Sequence, residues 1–75
     1  MRSQVAIEPA ALSARLRAGR EAAHLTQTEA ATRLGCSMRA VQGWEAGLHV
    51  PQPRHRRAIV EVYGDVFNPN GGEQS

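Results

Sequence analysis

Met38, Arg39 and Gln42 lie within about one helical turn and offer a thioether, a guanidinium and a carboxamide to whatever lies against them. A guanidinium can grip the two acceptors on a guanine edge, a carboxamide can pair with adenine, and a methionine can pack on a thymine methyl. The set therefore suits the edges of base pairs in a major groove. Arg39 is the first candidate for reading a base, with a phosphate contact as its alternative. Gln42 either reads adenine or holds the backbone, and Met38 either meets a base or closes the edge of a core. Gln27 is a phosphate candidate, because a helix amino terminus and an amide side chain together can hold an anion. Ser37 can cap a helix, bind a phosphate, or do both. Gly43 is a third phosphate candidate, since a glycine on the outward side lets a helix seat closer to a groove; the alternative is a tolerated glycine in a glycine-rich composition. Arg54, Arg56 and Arg57 form a further basic cluster, suited to phosphates or to a solvated face.

These side chains need two helices pinched around a turn. Thr26 followed by Glu29 is a capping box, so a helix is expected to start at Gln27. Leu34 anchors its end, and Gly35 follows, where a left-handed residue costs least. Cys36 is a small residue of buried type in the turn, and Ser37 caps the next helix. In that helix Val41, Trp44 and the stem of Glu45 fall on one side at about 100° per residue. Arg39, Gln42, Gly43 and Ala46 point the other way.

The stretch from about 12 to 63, some fifty of the 75 residues, resembles the phage repressor and Cro family of helix-turn-helix domains, the lambda-repressor-like fold. The matching residues are Leu16-Arg17, Arg20, Leu25-Thr26-Gln27, Glu29-Ala30-Ala31, Leu34-Gly35-Cys36-Ser37 and Val41-Gln42-Gly43-Trp44-Glu45-Ala46-Gly47. The resemblance implies an all-α, compact four-helix DNA-binding domain with its helix-turn-helix at about 27–46. It also implies a structural ion pair between Arg20 and Glu45, tying the first helix to the third. Two departures stand out. His24 occupies the position where the family closes its first helix with glycine, which implies a strained left-handed histidine. Ala30 replaces the usual leucine of the second helix and removes core volume. A single core in a domain this small rarely gives more than about 3 to 5 kcal/mol, so marginal stability is expected.

Charge is distributed unevenly. The first sixty residues hold nine arginines against four glutamates, whereas Glu61 onward carries three acids and no base. A basic body attracts polyanions. An arginine-rich, lysine-free composition also arises from a GC-rich genome, and it is the placing of arginines around the motif that favours the functional reading. No apolar run approaches about eighteen residues, there is no charged-then-apolar leader, and Cys36 is the one cysteine. A cytoplasmic protein without disulfides is expected. Cys36, His24, His49 and His55 show no metal-ligand spacing, no paired catalytic groups occur, and neither a metal nor another cofactor is expected.

Along the chain, 1–7 reads as a loose arm and 8–67 as the domain, with helices at about 9–23, 27–34, 38–46 and 54–63. The run 59–63 alternates in a way that also fits a strand, and the resemblance favours the helix. Residues 68–75 read as a polar, disordered tail. Ile59, Val62, Tyr63 and Val66 serve the core, which leaves Val60 and Phe67 as candidates for a two-fold contact; the alternative for Phe67 is that it folds back to fill the space left by Ala30. The expected function is sequence-specific binding of double-stranded DNA by a homodimer on a pseudo-palindromic operator, repressing transcription by promoter occupancy. The alternative is a protein-binding module, such as an antitoxin-like or antirepressor partner.

Overall fold

The computed structural model of the chain describes residues 9–68, so the expectations of an arm at 1–7 and of disorder beyond 68 fall outside it. Within those residues the chain forms four helices and no strand: α1 (Pro9–Ala22), α2 (Gln27–Leu34), α3 (Met38–Glu45) and α4 (Pro53–Tyr63). The helix option for 59–63 is the one taken. Proline at the first position of α4 supplies a preset φ and needs no amide partner there.

The ends of the helices follow from local chemistry. Thr26 and Glu29 exchange the two bonds of the capping box, at 3.0 and 2.9 Å, and Ser37 Oγ accepts from Ala40 N at 3.0 Å. After α2, Gly35 (φ 73°) donates to Thr32 O, and Cys36 donates to Ala31 O at 3.0 Å, the paired bonds of a Schellman turn. The same pattern closes α1, with His24 N donating to Glu21 O and Leu25 N to Arg20 O, but the left-handed residue is His24, at φ 60°.

His24 thus does a glycine's work at a steric cost of about 1 to 2 kcal/mol, whereas glycine would lose about 0.5 to 1 kcal/mol in chain entropy. His24→Gly is expected to stabilise the domain by about 0.5 to 1 kcal/mol, read as a higher melting temperature. A lower one would contradict the assignment of strain.

Leu12, Leu16, Ala31, Leu34, Val41, Trp44, Ile59 and Val66 make one core, with α3 packed on α1 and α2, and α4 closing over α1 and α2. Ala30 is completely buried. Val66 belongs to the segment after α4, and it stays on the core because Arg15 of α1 clamps that segment. Arg15 Nε donates to Val66 O at 2.8 Å, and Arg15 Nη2 donates to Asn68 O at 2.6 Å. Asn68, expected to open the tail, is therefore tied down. Gly19 makes the close approach possible: a Cβ there would lie 3.0 Å from Tyr63 Cβ and 3.1 Å from Val66 Cγ1.

Phe67, for which a two-fold contact and a fold back onto the core are both open, is half-buried against the core, and the Arg56 guanidinium lies 4.3 Å above its ring. Val60 does remain exposed.

Candidate nucleic-acid interface

α3 has two unlike sides. Val41, Trp44 and Glu45 are buried, while Met38, Arg39, Gln42 and Ala46 are exposed. The capped turn at Gly35 and Ser37 sets this helix across the end of α2, with Thr28 Oγ1 of α2 donating to Met38 Sδ at 3.1 Å.

Beneath the exposed side lies a buried charge. The Glu45 side chain is 2% exposed and Arg20 12%, and Arg20 holds both carboxylate oxygens, Nε to Oε2 at 2.7 Å and Nη2 to Oε1 at 2.9 Å. Arg20 Nη1 also donates to Leu25 O at 2.9 Å, so one guanidinium braces α1, the α1–α2 turn and α3. This fork-on-fork geometry is the strong form of an ion pair. Arg17, exposed, stands 3.7 Å from Glu45 Oε1 as a second cation.

A polar relay connects this pair to the surface. Gln27 Nε2 donates to Glu45 Oε1 at 3.1 Å, and Gln42 Nε2 donates to Gln27 Oε1 at 3.4 Å. Gln27 begins α2, where the sequence places it, and its amide is turned inward, where it orients Gln42. The inward bond was not legible from spacing, because Gln27 and Glu45 sit on different helices.

Burial alone would push the Glu45 carboxyl up, but the hydrogen bonds from Arg20 and Gln27, with the charges of Arg20 and Arg17, outweigh it and hold the carboxyl below its ordinary value. The same pairing, against desolvation, raises Arg20. Glu45 ionised is therefore a stabilising state: its contribution is complete above the ordinary carboxylate range and is lost as the pH falls through the depressed folded value. The melting temperature should fall on acidification, and Glu45→Gln should flatten that acid limb. An unchanged limb in Glu45→Gln would mean that other carboxylates govern it.

The remaining candidates are spread more widely. Gly43 is buried although it belongs to the outward side, because the His49 ring covers it. A glycine left bare for a groove was expected; a glycine under an imidazole is what the fold contains. Arg54, Arg56 and Arg57 lie exposed on the first turns of α4. Of these, Arg56 stacks on Phe67, and Arg57 stands 3.7 Å from Glu61 in an exposed pair. Sequence spacing also missed Arg15, whose partners are carbonyls more than fifty residues away. Burial pushes the Cys36 thiol up, in keeping with a packing role. Among the described residues no cluster of His, Cys, Asp or Glu could hold a metal ion, and no helix is long and apolar enough to cross a membrane.

A family model described as a helix-turn-helix domain matches residues 11–64, from the first turn of α1 to the glycine that stops α4. The chain belongs to the helix-turn-helix domain family. No match to it was found among curated proteins or among solved structures. In a helix-turn-helix domain the second helix of the motif enters the major groove while the first crosses the backbone; the two helices of the motif in this chain are α2 and α3. Membership supports DNA binding and, with it, a part in regulating transcription.

Proposed function

We propose that this helix-turn-helix domain is a sequence-specific regulator of the phage repressor and Cro type, which works in the cytoplasm and represses by occupying a promoter. The observation that carries the reading is the outward side of α3, where Met38, Arg39 and Gln42 are exposed together while the opposite side is locked into the core. Arg39 and Gln42 read bases beside Met38. Ser37 and Gln27, at the amino termini of α3 and α2, contact phosphates, and Arg54, Arg56 and Arg57 extend the basic surface.

A purified chain titrated against the DNA upstream of its own gene, and against the same base composition scrambled, tests this. Preference for the upstream duplex, lost in Arg39→Ala, is the expected result. Equal, weak affinity for both duplexes would contradict it.

The protein acts as a homodimer on a pseudo-palindrome with half-sites about one helical turn apart, because one module makes few phosphate contacts. Val60, 41% exposed, supports a two-fold contact on α4. Val60→Asp should leave a folded monomer with weaker operator binding, whereas Phe67→Ser should lower the melting temperature, since Phe67 is part of the packing. Sedimentation showing one chain per site at full affinity would remove the dimer.

One observation favours the second reading, a protein-binding module. Among the described residues Leu48 (77%) and Val50 (53%) are the most exposed large apolar side chains, and with Leu12, Leu16 and Trp44 they line a groove of about 410 Å³. On that reading DNA affinity is weak and insensitive to Arg39.

A further inference from the structure

Gly43 follows Arg39 by four residues, so the stripe of α3 that carries Arg39 runs on to a residue with no side chain. The fold fills that place from outside the helix. After α3 the chain reverses at Gly47 (φ 76°), with Gly47 N donating to Trp44 O at 3.3 Å and Leu48 N to Gly43 O at 2.9 Å. These are the paired bonds of a Schellman turn, and they fold the next residues back over the helix. His49 lands on Gly43: a Cβ built there would overlap Nε2 and Cε1 of the ring and lie 3.0 Å from Cδ2. Arg39, Gln42 and Gly43 of α3 and Ala46 at its C-cap, together with Leu48 and His49, wall one open groove on the outward side.

We propose that His49 supplies from the loop the side chain that Gly43 lacks, and that it is a base-reading, specificity-determining residue beside Arg39. The inference rests on α3 being the DNA-facing helix. An imidazole offers a ring N–H to an acceptor, and a base edge in the major groove presents such acceptors. Phosphate oxygens offer the same chemistry, so the experiment must separate the two. Glycine at position 43 is then a requirement of the site, because any side chain would displace the ring.

The test is selection from a pool of duplexes with a randomised central window, using the full chain and its His49→Ala, Gly43→Ala and Arg39→Ala variants, with melting followed by circular dichroism. The wild type should enrich a motif. His49→Ala should lose preference at a base pair next to the one lost in Arg39→Ala, and should bind the wild-type motif about tenfold more weakly. Gly43→Ala should show the same loss while melting no lower than the wild type, because alanine suits a helix better than glycine. A His49→Ala chain that selects the wild-type motif at wild-type affinity, or that weakens on all duplexes alike as a phosphate contact would, overturns the inference and leaves DNA reading by Arg39 standing. A wild-type chain that enriches no motif overturns the DNA reading and this inference with it.

Discussion

Glu45→Ala is expected to cost about 3 to 5 kcal/mol, comparable to the whole stability a domain of this size draws from a single core. The carboxylate is 2% exposed and answers two Arg20 nitrogens and the Gln27 amide, so its removal leaves a guanidinium, itself 12% exposed, without an anion. Arg20→Ala should be as damaging for the converse reason, and it also releases the Leu25 carbonyl that Arg20 holds at 2.9 Å. The double variant should cost less than the sum of the two, because removing both charges leaves neither one stranded. Melting and denaturant titration of the four proteins in the cycle measure this. Additivity would mean that the pair does not act as a unit.

The second large effect is on recognition. Arg39 is exposed, makes no part of the core, and shares its side of α3 with Gln42 and Met38. Arg39→Ala should therefore leave the melting temperature near the wild-type value while about 1 to 3 kcal/mol of specific binding is lost, concentrated at one base pair. If Gln27 holds a phosphate as proposed, Gln27→Ala should weaken all duplexes more evenly. It should also loosen Gln42, which Gln27 holds at 3.4 Å. Unchanged discrimination between the operator and its single-base variants in Arg39→Ala would refute base reading by this residue.

What the sequence displayed most plainly was whatever is decided within a few residues. Thr26 with Glu29, Gly35 after Leu34, and Ser37 before Met38 each satisfy backbone groups of their own turn, and all three act as their residue types require. The positive φ of His24 belongs here too, since the position demanded a left-handed residue and the chain offered histidine. The pairing of Arg20 with Glu45 spans twenty-five residues, and it came from the resemblance, not from spacing.

Contacts decided by the packed whole were not legible. Arg15 reads as one more surface arginine until the segment after α4 is folded against α1 and offers two carbonyls. Phe67 follows the stop at Gly64, so its residue type leaves a two-fold contact and a fold back onto the core both open, and it is the Arg15 clamp on either side of it that carries it against the core. Gly43 read as open space because a helical projection shows the face and not the loop that returns over it. The capping box at Thr26 puts Gln27 at the start of α2, and its bond to Glu45 exists only once α3 is docked.

Methylation interference on the selected duplex asks whether the exposed side of α3 lies in its major groove. Methyl groups at guanine N7 stand in the major groove, and those at adenine N3 stand in the minor groove. Interference from guanine N7 methylation is expected in two patches about one helical turn apart, with the interference at one guanine of each patch lost in Arg39→Ala. Binding that tolerates N7 methylation throughout and is blocked only from the minor groove would contradict it.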